Sequence, residues 1–347
     1  MATTRSLVVT APGAKFASQN VELLPVKGYR LRIEIEYSGI CHSDIHQARN
    51  EWFEGIFPMV PGHEIVGRVV EVGPKVTRFA LGDRVGVGTF VDSCRKCEYC
   101  MDGRENYCLA GNVQTYNGRH YDGTPSYGGY AQQIVVDENY VLRVPETLDP
   151  AGAAPLLCAG ITVFSPLRHW QAGPGKKVAV LGLGGLGHLA VKFAAAMGAQ
   201  VYVIGHTKSK KADAKKLGAL DYFSVEEAQK THQNFFDIIL NTTSANLNVD
   251  ALLRLLHVGG SLVNVGLPGE SQSYNPFGLV TGLKSIAGSN TGGIEETQLM
   301  LDFAAVYGIT ASYELVDATK AKSVDAAYDR VVASDVRYRF VIDASTL

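Results

Sequence analysis

"KKVAVLGLGGLGHLAVKFAAAMGAQVYVIG", residues 176–205, decides the fold. An apolar run leads into closely spaced glycines, an Ala-rich stretch with helical spacing follows, and a second apolar run closes the segment. Strand, tight turn, helix and strand in that order make a βαβ unit, and such units build parallel sheets. The turn is Gly182, Leu183, Gly184, Gly185, Leu186, Gly187, which places glycines in G-x-G-x-x-G spacing. Glycines there permit the tight turn and let backbone N–H groups approach a pyrophosphate at the positive end of the helix. The position between a strand and a helix is the context that gives this short motif its meaning.

The nucleotide is chosen at the end of the second strand. Folds that take NAD place an Asp or Glu about twenty residues beyond the first glycine, on the ribose hydroxyls. Here that strand runs into "VYVIGHTKSKKADAKK" (201–216), and its first acidic residue, Asp213, comes well past the strand end. Thr207, Ser209, Lys210 and Lys211 crowd the position instead, and His206 beside them is a further cofactor candidate. Hydroxyl and ammonium groups attract a 2′-phosphate that a carboxylate would repel, which points to NADP(H).

Downstream, "FFDIILNTT" (235–243) and "GSLVNVGLP" (260–268) are continuous apolar runs, as strands buried on both faces should be. "VDALLRLLHVGG" and "EETQLMLDFAAVYG" carry helical spacing and glycine stops. Upstream of about residue 150 the texture is β-like, with "YRLRIEIEYSGIC" (29–41) alternating apolar and polar residues. "YRFVIDAS" (338–345) returns to that texture at the C-terminus. The expected architecture is α/β: a β-rich domain, a doubly wound parallel-sheet domain of Rossmann type after it, and a tail that rejoins the first domain.

A chain of 347 residues with 46% hydrophobic and 19% charged residues and a net charge of −2 reads as an ordinary soluble protein. That balance argues against nucleic acid and anionic membrane as partners. The opening residues lack a signal-peptide pattern and no apolar run reaches bilayer length, so the expected location is cytoplasmic. In a reducing compartment clustered cysteines read as metal ligands before disulfides.

Four of the six cysteines, Cys94, Cys97, Cys100 and Cys108, lie in "CRKCEYCMDGRENYC". Four thiolates close a tetrahedral zinc shell, so this centre is read as structural. Cys41 opens "CHSDIH", His63 and Glu64 sit in "PGHEIVG", and Cys158 lies in "PLLCAGIT". Two thiolates and one imidazole would leave a fourth zinc position open, although spacing alone does not join residues so far apart.

Taken together, "GICHSDIH", "VPGHEIVGRVVEVG", "GDRVGVG", "GGYAQQIVV", "PLLCAGITVFSPL", "GLGGLGH", "AGSNTGG" and "DVRYRFVID" resemble the zinc-dependent alcohol dehydrogenases of the medium-chain dehydrogenase/reductase superfamily. The nearest likeness is to the cinnamyl alcohol dehydrogenase group and its bacterial NADP-dependent relatives. The resemblance implies a GroES-like catalytic domain, residues 1–152 with 292–347, and a Rossmann cofactor domain, residues 153–291. It implies two zinc ions per chain, with Cys41, His63 and Cys158 holding the catalytic one and Glu64 able to approach it. Asp44 would orient His63, Ser43 would hydrogen-bond the substrate oxygen, and His46 would stand at the solvent end of a proton relay. His42 and Arg339 match pyrophosphate contacts, and Thr162 a nicotinamide-side contact. Gly266, Ser289 and Asn290 are further cofactor candidates, and Trp52, Phe57 and Phe90 candidate pocket walls. Gly205-His206-Thr207 departs from the Ser/Thr-rich run of many NADP-using relatives.

The expected activity is hydride transfer between NADP(H) and primary alcohols or aldehydes, aromatic or aliphatic. The alternative within the superfamily is a secondary-alcohol or polyol dehydrogenase. A zinc-ribbon binding module and a catalytically silent structural protein are the readings from other classes. The family's habit implies a homodimer or homotetramer, with "SLVNVG" and "SIAGSN" as candidate interface edges.

Overall fold

Alternation in the stretch that begins at Tyr29 becomes the long strand Arg30–Ile40, whose Leu31, Ile33 and Ile35 enter the core while Arg32 and Glu34 face outward. The computed structural model describes residues 2–347. They fall into two units, one made of the residues up to Cys158 with Gly292–Leu347, the other of Ala159–Thr291.

In the first unit Arg30–Ile40 is the hub of a mostly antiparallel sheet. Ile65–Val72 pairs along one side of it, and Gln133–Asp137 and Arg339–Asp343 share the other. Register shifts near Arg32 and Ile35 bend the hub strand where its neighbours change. The C-terminal strand Arg339–Asp343 therefore does return to the first unit, with Phe340 opposite Ile40. Leu31, Ile33, Ile65, Val85 and Val87 are among the side chains that fill the core beneath the sheet.

In the second unit six strands are parallel, in the order Asp221–Ser224, Gln200–Gly205, Lys177–Leu181, Phe236–Asn241, Leu256–Asn264, Ser285–Gly288. The first strand in sequence lies in the interior and the chain winds outward from it in both directions, the doubly wound arrangement that places ligands at the carboxyl ends of the strands. Val178 to Leu181 and Ile238 to Leu240 are buried, which explains their uninterrupted apolar sequence.

The first crossing between units comes at 158/159 rather than at the expected 152/153. Residues 153–158 belong with the first unit because Leu156 and Leu157 are buried against its sheet and Gly152 O accepts from Ala311 N. Among the described residues no single helix is long and apolar enough to cross a membrane.

Candidate functional site

The hub strand ends at Ile40, and Cys41 follows it as the cap of the short helix His42–Ala48. His63 and Glu64 lie immediately before the strand Ile65–Val72, and Cys158 follows the 3-10 turn Ala154–Leu157. Sheet pairing thus brings together residues that sequence spacing leaves apart. Ligand atoms of Cys41, His63, Glu64 and Cys158 all lie within 4.8 Å of one another, and all four residues are buried. Cys41 Sγ and Cys158 Sγ are 4.0 Å apart, with no disulfide between them.

Asp44, fully buried on the helix, organises this cluster. Its Oδ1 accepts from Gly62 N at 3.2 Å and pairs with His63 Nδ1 at 3.0 Å, while Oδ2 accepts from Cys41 N at 2.9 Å and from the Tyr130 hydroxyl at 3.1 Å. A proton on Nδ1 facing the carboxylate leaves Nε2 as the lone-pair nitrogen that a metal needs. Tyr116 stacks on the His63 ring at 5.7 Å and closes one face of it.

Hydrogen bonding with Cys158 holds the Cys41 thiol well below its ordinary range, and burial opposes this. The same contact, with burial, pushes Cys158 well up. Burial lifts the Glu64 carboxyl to about 7 against the pull of Arg339. Arg339 is itself buried and ion-paired to Glu64 Oε1, so its Nη2 is turned to this carboxylate. Glu64 Oε2 is buried with no hydrogen-bond partner. Two thiols, one oriented imidazole and a buried carboxylate form a donor set that fits zinc.

Around the cluster, Ser43 Oγ lies 3.5 Å from Cys41 Sγ. One turn on, His46 Nδ1 meets Glu51 Oε2 at 2.5 Å, and the ring is stacked between Trp52 and His42, with centroids 4.6 and 5.3 Å away. Trp52 is exposed and Phe57 half-buried. Phe90, expected at a pocket wall, is 4% exposed and packs its ring edge-on to Tyr140.

Cys94, Cys97, Cys100 and Cys108 also converge within 4.8 Å, in a loop carrying only the short helix Glu98–Met101 and a 3-10 turn. Backbone N–H groups of Leu109 and Cys100 lower the Cys97 thiol to about 6, while burial and the neighbouring thiols push Cys100 up to about 12. Sulfurs this close cannot all ionise without a cation, and backbone N–H groups of Cys94 and Cys97 point at sulfur at 3.4 Å. That arrangement fits a closed four-thiolate zinc shell.

In the second unit the turn from Gly182 to Gly187 connects the strand Lys177–Leu181 to the helix Gly187–Ala196. Gly182 has φ +92°, and a Cβ on Gly187 would lie 2.1 Å from Gly182 O, so the first and third glycines are fixed by backbone shape and close packing. The carboxyl ends of neighbouring strands flank this turn: Thr242 Oγ1 donates to Leu181 O, and Gly266 N and Ser289 N are bonded to Asn241 O and Asn264 O. Asn290 is exposed beside Ser289, and Thr162 is buried in the helix Ala159–His169.

Past the second strand His206 and Thr207 are exposed, and Thr207 Oγ1 and Ser209 Oγ lie 2.9 Å apart. Lys210 Nζ donates to Leu183 O at 2.9 Å, linking this loop to the glycine turn. Lys211, expected to face a phosphate, forms an ion pair with Asp221 at 2.9 Å because the next strand brings that carboxylate alongside. The sequence reading did not single out Tyr130, Tyr116, Glu51 or Tyr222 as site residues. Tyr130 stands in the quoted "GGYAQQIVV", yet nothing local marks a strand tyrosine as a partner of a carboxylate 86 positions away.

The alcohol dehydrogenase GroES-like domain matches residues 28–146, and the zinc-binding dehydrogenase family matches residues 185–306. Relatives similar to this chain include the "Probable formaldehyde dehydrogenase AdhA" of Bacillus subtilis, 55% identical over 99% of this chain and 98% of that protein. The "NADP-dependent alcohol dehydrogenase C 1" of Mycolicibacterium smegmatis is 49% identical over 100% of this chain and 99% of its own. Among solved structures, a cinnamyl alcohol dehydrogenase of Sorghum bicolor superposes with a TM-score of 0.94 at 41% identity, covering 99% of this chain and 98% of that one.

Proposed function

The chain belongs to the zinc-dependent alcohol dehydrogenases of the medium-chain superfamily, and from that premise we propose how its residues divide the work. It is an oxidoreductase that transfers hydride between NADP(H) and alcohols or aldehydes. Our reading assigns Cys41, His63 and Cys158 to a catalytic zinc, with Glu64 beside it, and the four-cysteine loop to a second, structural zinc.

A zinc ion in the first set supplies Lewis acidity toward the substrate oxygen and no redox chemistry of its own. Asp44 keeps a proton on His63 Nδ1, which leaves Nε2 as the nitrogen that would hold the metal. Ser43 offers a hydroxyl at the edge of the cluster, where an alcohol proton can be taken or given. His46, held at Nδ1 by Glu51, passes that proton toward solvent. Arg339 neutralises Glu64, so the buried carboxylate adds little net negative charge where an alkoxide must form. The backbone turn 182–187 seats the pyrophosphate, and the loop 206–210 receives the 2′-phosphate. The likeness to enzymes named for cinnamyl alcohol and aldehyde reduction favours primary over secondary alcohols.

The observation that carries this reading is the meeting of Cys41, His63 and Cys158 around an imidazole already oriented by Asp44. The test is metal analysis together with a steady-state panel of benzaldehyde, aliphatic aldehydes, ketones and sugars, each with NADPH and NADH. Two zinc ions per chain and the highest kcat/KM for aldehydes with NADPH are expected. Normal kcat and metal content in Cys158→Ala would overturn the ligand assignment, and a preference for ketones or sugars the substrate class.

A further inference from the structure

The strand Gln200–Gly205 ends on a glycine that hydride transfer does not explain. It stands where folds that take NAD carry their ribose-binding carboxylate. A Cβ on Gly205 would lie 1.9 Å from Tyr222 Oη and 2.7 Å from Cζ. Tyr222 comes from the adjacent parallel strand Asp221–Ser224, is 3% exposed, and donates from Oη to Thr207 O at 2.6 Å. One hydroxyl therefore fills the space beside residue 205 and also ties down the backbone of the loop that follows.

That loop has little net charge to draw a phosphate by attraction alone. Lys208 is paired with Glu227, Lys211 with Asp221, and the Glu226 carboxylate lies near enough to His206 to interact with it. Lys210 is bonded to Leu183 O. Two of the three ammonium groups thus face carboxylates and the third a backbone carbonyl, so recognition of a phosphate must rest largely on where the Thr207 and Ser209 hydroxyls and the backbone N–H groups point. Thr207 is extended, with φ −127° and ψ 152°, and leads into the single turn Lys208–Lys210. Fixing its carbonyl fixes the direction of the N–H groups after it.

We propose that Tyr222 is a specificity-determining positioning residue for NADP(H): it orients the loop 206–210 around the adenosine 2′-phosphate and excludes the acidic side chain that NAD recognition needs at 205. The proposal rests on the NADP reading above and names the residue that enforces it. Tyr222 touches neither the nicotinamide nor the reacting carbon in this role, so its removal changes cofactor KM and leaves kcat alone.

The experiment measures kcat and KM for both cofactors, with thermal melting, in the wild type, Tyr222→Phe, Gly205→Asp and the double variant Gly205→Asp/Tyr222→Ala. Tyr222→Phe keeps the ring and loses one hydrogen bond. It should raise the NADPH KM about fivefold and leave the NADH KM and kcat unchanged. Gly205→Asp should melt earlier and lose NADPH binding, because its Cβ collides with the tyrosine. The double variant should regain melting temperature over that single variant and swing the cofactor ratio toward NADH by about tenfold. Equal KM changes for both cofactors in Tyr222→Phe would overturn the proposal, as would a Gly205→Asp protein that melts and binds NADPH like the wild type. A wild type that prefers NADH would remove the cofactor assignment and this proposal with it. A wild type that prefers NADPH beside an unchanged ratio in Tyr222→Phe removes the proposal alone.

Discussion

Asp44 accepts four hydrogen bonds inside the first unit with no access to solvent, and only a carboxylate can do so. An amide in its place has one accepting oxygen. Turned toward His63, it leaves its NH2 against Cys41 N–H; turned the other way, it faces Gly62 N–H and favours the wrong imidazole tautomer. Asp44→Asn should therefore lower zinc affinity at the Cys41 centre by about 10–100-fold, with turnover falling in step. Zinc titration of the variant, read beside kcat, checks this, and wild-type affinity with normal kcat would contradict it. Tyr130→Phe removes one donor to the same carboxylate and should cost about 1 kcal/mol, a smaller effect seen in melting before activity. Cys41, His63, Asp44 and Cys158 could be named because the motifs around them resemble the family's, while their spacing in the chain joined none of them. Tyr130, and the pairing of Glu64 with an arginine 275 positions away, were not legible, since sheet pairing alone brings them together.

At the scale of elements, alternation in Arg30–Ile40 and the continuous apolar runs of the parallel sheet predicted their own burial, and the structure agrees. Helix starts were less legible. Ile294–Tyr307 begins at Gly293, which has no side chain to cap the first turn. The cap comes instead from the four-cysteine loop, where Glu105 Oε2 accepts from Ile294 N at 3.1 Å. A carboxylate at that end satisfies an orphan N–H and meets the positive end of the helix. No local rule finds a cap contributed from 189 residues earlier. Glu105→Ala should cost about 1 kcal/mol, lowering Tm by about 2–4 °C while kcat stays unchanged. Melting curves of Glu105→Gln, which keeps an acceptor and loses the charge, should fall between those of the wild type and Glu105→Ala. A variant that melts with the wild type would show that the loop does not cap this helix.

For the whole molecule, the two-unit organisation was legible because a glycine-rich βαβ segment differs so clearly in texture from the alternating strands around it. The exact crossing was not, since buried Leu156 and Leu157 fit a helix of either unit equally well by sequence. The two proposed metal centres carry this organisation into behaviour. In the proposed catalytic set Cys41, His63 and Cys158 are all buried, whereas Cys94, Cys97 and Cys100 are only partly so, in a loop with hardly any regular structure. A thiol-reactive mercurial should therefore attack the four-cysteine loop first, because its sulfurs are the more accessible. Metal at such a site contributes folding energy directly, so its release should lower Tm before it lowers turnover. Stepwise titration with mercurial, following released zinc with a chromophoric chelator, is expected to free one zinc per chain while activity persists, with an earlier melt. A second zinc should then leave together with activity. Loss of activity in proportion to the first zinc released would mean that the exposed loop supports the reacting centre, and would overturn the division of the two metals into a staple and a site of chemistry.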